Sequence, residues 1–216
     1  ATPTGVCKGF LKPEDLVFTD LTGKQLSGSK KVSSEILMHV AVYRHRADVQ
    51  AICHGHPVYA TAHAVAGIAL TEALMPEVVL TLGCVPVAPY GTPSTRELAD
   101  SLVDLVPHYD AILLSNHGAI TSGKDLEQAF FRMEVLEHYA KTNILTRILG
   151  KQTLLSREDV DKLFDVREKY GISSPDFRRP GCPVTAEERS ELITLSRGEL
   201  EALIEKVVLQ VKGISD

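Results

Sequence analysis

The chain has 216 residues, 44% of them hydrophobic and 24% charged, a balance that suits one ordinary globular domain with a buried core. A formal net charge of −5 argues against nonspecific nucleic-acid binding, and no apolar run approaches the roughly 20 residues of a membrane-spanning helix. Cys7, Cys53, Cys84 and Cys182 are scattered without a CxxC pair, so neither a disulfide framework nor a cysteine-bound zinc is expected, and a reducing cytoplasm fits best.

The chain opens on Ala1-Thr2-Pro3-Thr4-Gly5, with no methionine before it and no visible signal peptide. This stretch reads as a turn, and its hydroxyls and glycine N–H can also face an anion. A short strand is expected at Leu16 to Thr19, followed by a turn at Asp20 to Gly23 and a loop at Gly28 to Lys30. Ser33-Ser34-Glu35 opens a helix whose apolar face is Ile36, Leu37, Val40, Ala41 and Tyr43. Either serine can cap it. The helix dipole alone accounts for an acid at Glu35, and the free N–H groups there can equally hold a phosphate. His39 shares Glu35's face and is expected to make a structural hydrogen bond.

Val49 to Cys53 reads as a buried strand running into His54-Gly55-His56, and Pro57 then starts a helix over Val58 to Ala66. Val78 to Leu82 and Val85 to Ala88 are expected as strands around Gly83. Pro89 to Pro93 is a turn that exposes Tyr90, and Ser94 with Glu97 forms a capping box for a helix to about Val106. A further strand, Ala111 to Leu114, ends in Ser115-Asn116-His117-Gly118. One long helix, Lys124 to about Leu149, is closed by Gly150. Its apolar stripe is Leu126, Ala129, Phe130, Met133, Leu136, Tyr139, Ala140, Ile144 and Leu145. Ser156 to Lys169 is another helix, ended by Tyr170-Gly171, and Pro175 to Pro183 is a loop. Thr185 with Glu188 and Ser196 with Glu199 are two more capping boxes. The helix after the second carries Leu200, Leu203, Ile204, Val207, Val208 and Val211 on one face. Strands interleaved with helices, without repeats, give an α/β class, and the short connections allow antiparallel pairing.

The chemistry concentrates at the strand ends. Side chains two apart on a strand share a face, so His54 and His56 can aim two imidazoles at one point. His117, at the end of another strand, can deliver a third. Three such histidines suit a catalytic divalent metal with one position left open. The spacing by itself also allows strand-end histidines that only bond to loops.

Five segments, Thr2-Pro3-Thr4-Gly5, Val32-Ser33-Ser34-Glu35, His54-Gly55-His56-Pro57, Ala88-Pro89-Tyr90-Gly91-Thr92 and Asn116-His117-Gly118-Ala119, resemble in order and spacing the class II aldolase/adducin family, most of all its L-fuculose-1-phosphate aldolases. The resemblance covers about residues 1 to 172. It implies a three-layer helix–sheet–helix sandwich around a mostly antiparallel sheet over residues 1–174, usually assembled as a homotetramer. Residues 175–216 then form a helical extension packed on the same domain or on a neighbouring subunit. The family's N-terminal Gly-Asn pair, which completes its phosphate cup, does not occur before Thr2.

Carried over residue by residue, the resemblance makes His54, His56 and His117 zinc ligands, with manganese or cobalt also suited to such a set. It makes Glu35 a further ligand and the catalytic base, and it assigns phosphate binding to Thr4, Gly5, Ser33 and Ser34. Tyr90 becomes a proton donor at a neighbouring subunit's site, and Tyr170 a supporting catalytic residue. The implied protein is a cytoplasmic class II aldehyde-lyase that cleaves a ketose 1-phosphate, such as L-fuculose 1-phosphate, to dihydroxyacetone phosphate and a short aldehyde. Its partner is a small phosphorylated sugar, with neither nucleic acid nor membrane. Family decarboxylases, a dehydratase and 4-epimerases share the histidines, although the epimerases place Asp where Glu35 stands. A non-catalytic adducin-like scaffold would have lost the histidines.

Overall fold

Residues 1–170, 172, 182–191 and 196–212 are described in a computed structural model, with 190, 191 and 207–212 as backbone alone. Strands β1 (Phe18–Thr19) and β2 (Gln25–Ser27) form a small antiparallel pair beside the main sheet. The main sheet holds β3 (Ala51–Gly55), β4 (Val87–Ala88), β5 (Ala111–Leu114) and β6 (Gly118–Gly123), in the order β3-β6-β5-β4. β6 runs antiparallel to both its neighbours and β4 parallel to β5, so the sheet is mostly antiparallel, as the family resemblance implies.

Alternation along the strands builds the two outer layers. Ala111, Leu113 and Ala119 face α2 (Val58–Ala66) and α5 (Leu126–Ile148), meeting Ala60, Ala64, Leu136, Tyr139 and Ala140. Ile112, Leu114 and Ile120 face the opposite way, onto Met38 and Val42 of α1 (Ile36–His45) and Leu98 of α4 (Arg96–Asp100). On β3 the same parity puts Cys53 with the α2–α5 layer and Ile52 with the α1–α4 layer. His54 shares Ile52's side of the strand, towards α1.

A third cluster, Ala73, Val79, Val160 and Phe164, joins α3 (Pro76–Thr81) to α6 (Arg157–Lys169). Asp110, just before β5, pairs with Arg46 at 2.9 Å and Arg132 at 2.7 Å, which ties the end of α1 and the start of α5 to the sheet. Beyond α6 come α7 (Ala186–Glu191) and α8 (Arg197–Lys212).

Several sequence expectations change. The histidine strand is Ala51–Gly55, so His54 lies inside it and Val49 precedes it. Val78 to Leu82 is helical: Pro76 sits in the first turn with Glu77, and Val78, Val79 and Leu82 are buried at helical spacing. Of the expected strand after Gly83 only Val87–Ala88 joins the sheet, while Val85 bridges to Leu70. Thr95, not Ser94, caps α4, because its side chain accepts from Glu97 N while Ser94 takes φ +68°. That helix ends at Asp100 and continues as turns. On α5, Leu126, Phe130 and Leu145 are exposed, and the buried face is Ala129, Met133, Leu136, Tyr139, Ala140 and the polar Asn143. Asn143 is retained there because it bonds Glu72 and Arg147, so its amide is paired although buried.

The cysteine expectation is also overturned. Cys84 and Cys182 form a disulfide with Cα atoms 5.8 Å apart, across 98 residues of sequence. Tertiary structure brings 182–184 alongside 71–73, which no sequence spacing shows. Cys7 and Cys53 are free. The expected loop from Pro175 falls outside the described residues as far as 181.

Candidate metal centre

β3 and β6 bring the three histidines together. Gly55 pairs with Ala119 and Leu114 with Gly118, so the turn through Asn116 and His117 closes over the end of β3. Asn116 holds φ +56°, a left-handed position that Asn tolerates better than most residues. Gly118 is required for another reason: a Cβ there would lie 2.5 Å from Gly55 O and 2.5 Å from His56 Cδ2. Its bare backbone leaves room for the His56 ring. The ring centroids lie 5.1 Å apart for His54 and His56, 5.0 Å for His54 and His117, and 4.9 Å for His56 and His117. One nitrogen from each ring can be chosen so that all three lie within 4.8 Å of one another. Among the described residues this is the one group of three or more such donors.

Hydrogen bonding orients the first candidate ligand. His54 Nδ1 lies 2.9 Å from Ala119 O, and facing a carbonyl it must donate, which leaves Nε2 as a lone-pair donor turned to the cluster. That Nε2 is buried, and with a lone pair there it cannot bond the Glu35 Oε2 that lies 3.0 Å away. A buried nitrogen lone pair without a hydrogen bond is costly unless a cation takes it. The donor set therefore fits a divalent metal.

Glu35 completes the group. It is the residue before the first turn of α1, and its own side chain caps nothing. Instead Oε2 lies 3.0 Å from His54 Nε2 and Oε1 lies 3.1 Å from His117 Nε2. Ser33 supports this placement, because its Oγ accepts from Glu35 N at 3.2 Å. With no cation between them, a hydrogen bond and charge from a protonated His54, with smaller contributions from His117 and His56, would hold the Glu35 carboxyl at about 2 against its partial burial. Burial lowers His56 and His117 below the ordinary imidazole value. A carboxyl held low, and His56 and His117 that stay neutral to lower pH, both favour metal ligation, which needs deprotonated donors. His39 packs edge-on against His54, 6.4 Å between centroids, and burial lowers it to about 4; it acts through this ring contact rather than the expected hydrogen bond.

The other assigned residues are dispersed around this centre. Pro3 bridges to Val32 and Thr4 N donates to Lys31 O at 3.0 Å, so the Thr4–Gly5 turn is tied to the segment leading into Ser33 and Ser34. Gly5 takes φ +71°. Tyr90 is 60% exposed after β4 and Tyr170 is 73% exposed at the end of α6. Neither has a ring contact or hydrogen bond with the histidines within the single chain. Sequence reasoning missed Gly118 as a spacer and Lys8, whose Nζ donates to His54 O at 3.2 Å. A glycine directly after a candidate ligand was the available signal for the first.

Comparison with known proteins follows the same residues. The family described as the Class II Aldolase and Adducin N-terminal domain matches residues 1–144. The chain is 39% identical over 169 residues to a 3-oxo-tetronate 4-phosphate decarboxylase of Pectobacterium atrosepticum, covering 76% of each chain. It is 37% identical over 150 residues to an L-fuculose phosphate aldolase of Methanococcus maripaludis, covering 69% of this chain and 80% of the relative. Among solved structures it is similar to an L-fuculose 1-phosphate aldolase, with a TM-score of 0.71 at 33% identity over 79% of this chain and 78% of that one.

Proposed function

This chain belongs to the class II aldolase and adducin family, a metal-dependent lyase by type, and we propose that it breaks a carbon–carbon bond next to the carbonyl of a small phosphorylated sugar. The reading we favour is aldol cleavage of a ketose 1-phosphate such as L-fuculose 1-phosphate, giving dihydroxyacetone phosphate and a short aldehyde. One observation carries it: the Glu35 carboxylate spans His54 and His117 instead of capping its helix. His54, His56 and His117 would hold the metal, with Glu35 as a further ligand; zinc suits this set, and manganese or cobalt are accepted by the same donors. A divalent cation there supplies Lewis-acid polarisation of the substrate carbonyl and the adjacent hydroxyl.

The chain's own groups do the rest. In the condensation direction Glu35 accepts a proton from the carbon beside the carbonyl, and Tyr90 donates one to the aldehyde oxygen. Cleavage runs both transfers backwards. Because Tyr90 is exposed and makes no ring contact or hydrogen bond with its own histidines, it would serve a neighbouring subunit in a homotetramer, with Tyr170 in support. Thr4, Gly5, Ser33 and Ser34 would take the phosphate near the start of α1. The aldolase unit would span 1–174 with 175–216 as a helical extension, and the enzyme would work in the cytoplasm.

A second reading is favoured by the Pectobacterium relative: decarboxylation of a 3-oxo-tetronate 4-phosphate. Loss of carbon dioxide from such an acid also leaves dihydroxyacetone phosphate, so both readings use one site and one product. The test is a coupled assay for dihydroxyacetone phosphate with metal-loaded protein on each substrate, together with aldehyde and carbon dioxide detection. Aldehyde release supports the first reading and carbon dioxide the second. No dihydroxyacetone phosphate from either substrate would sink both.

A further inference from the structure

Residues 182–191 lie beyond the family match, which ends at 144, and they dock on the body of the chain. Val184 N–H donates to Thr71 O at 2.8 Å and Ala73 N–H donates to Val184 O at 2.9 Å, a parallel bridge around Glu72. Ala186 N–H donates to Leu155 O at 3.0 Å, and Arg157 N–H donates to Glu187 Oε2 at 2.9 Å. The Arg157 guanidinium pairs with Glu188, and Arg189 donates to Gln152 at 2.9 Å. Thr185 is fully buried. At the head of this segment Cys182 is bonded to Cys84, which stands between α3 and the Val85–Leu70 bridge.

Apart from the covalent link, the segment is held by polar contacts, and none of its described residues belongs to the three apolar clusters. Two backbone bonds make the bridge, one more leads into α7, and the Arg157–Glu188 ion pair is part-exposed, a class that contributes little. Segments docked by polar contacts outside the apolar core open locally while the core stays folded. The disulfide turns their redocking into an event already held at short range, across 98 residues of intervening chain.

We propose that Cys84 and Cys182 form a reversible, redox-controlled clasp that decides whether residues 182–191 are docked on 71–73 and 152–157. Closing converts two thiols to one disulfide and passes two electrons and two protons to an oxidised disulfide-exchange partner of the glutathione class, which leaves as two thiols. Opening reverses this: a dithiol reductant's thiolate attacks one sulfur, a mixed disulfide forms, and the reductant's second thiolate displaces the remaining cysteine. The clasp stands closed in oxidising surroundings and open in a reducing compartment. The position of α7 therefore follows the redox state, independently of the metal centre.

The test uses the full chain equilibrated with oxidised glutathione or with a phosphine reductant. Alkylation in denaturant and mass spectrometry of the oxidised protein should modify Cys7 and Cys53 alone and recover a linked Cys84–Cys182 peptide pair. Amide hydrogen exchange in 182–191 should be at least tenfold faster after reduction, with the α5 peptides unchanged. Cys182→Ser should match the reduced protein under both conditions. Four alkylated cysteines after oxidation would overturn the proposal. So would equal exchange in the two states, faster exchange in α5 to the same extent, or a Cys182→Ser protein that behaves like the oxidised parent.

Discussion

Gly118→Ala probes the candidate metal centre without replacing any of its histidines. The new Cβ would sit 2.5 Å from Gly55 O and 2.5 Å from His56 Cδ2, where ordinary contact begins at 3.4 Å, so something must move by about 0.9 Å at each. Gly55 lies in the β3–β6 register, opposite Ala119, and its carbonyl cannot retreat without breaking that pairing. The His56 ring lies just beyond the strand and gives way more easily. Metal–ligand distances tolerate only about 0.2 Å, so a displacement of this size takes His56 out of reach of a shared ion. Loss of ligand positioning of this kind typically costs about 10–100-fold in metal affinity. Overpacking adds a stability cost of about 1–3 kcal/mol. Metal affinity is read by competition with a chromogenic chelator, and thermal melting with circular dichroism checks that the fold persists. Affinity within threefold of the parent, in a protein that melts within a degree of it, would refute the role assigned to Gly118.

Glu35→Gln keeps the three histidines but removes the ionised carboxylate, so kcat for dihydroxyacetone phosphate release should fall by roughly 10²–10⁴ while metal stays bound. Turnover within threefold of the parent at full metal content would show that Glu35 is not the proton-transfer group. Asp110→Ala leaves the guanidiniums of Arg46 and Arg132 without their shared buried carboxylate, and the melt should report a loss of about 3–5 kcal/mol. A loss under 1 kcal/mol would count against that network as a brace for the sheet. Metal retention should also depend on pH in a set direction. Burial lowers His56 and His117 below 6.5, so they stay neutral to lower pH than free imidazole, and half of the metal should leave below pH 6.5. Metal analysis across a pH series that finds half-release above 6.5 would contradict this.

Much of the site could be read along the chain because its signals are local. Two histidines at i and i+2 pointed to one shared site, and their rings do converge, although only His54 lies in the observed strand, on Ile52's side, and His56 follows its end. Caps are equally local: Asp125 and Ser156 hold α5 and α6 where their side chains meet the first free N–H groups. What the sequence left undecided turns on neighbours distant along it. Val78 to Leu82 is β-branched enough to read as a strand, yet it is a helix because its apolar groups pack at helical spacing against α6 and the main core. Phe130 looks as apolar as Met133, but only the second lies over the sheet. Glu35 turns from helix capping to the histidines because β3 and the β5–β6 turn arrive beside it. Cys84 and Cys182 meet only after the chain between them has folded. The sequence by itself thus determined the long helices and the grouping of candidate ligands, each signalled by a short run of adjacent residues. The buried face of a long helix, the partner of a cysteine and the aim of a carboxylate were decided by packing, because each depends on which distant surface closes over it.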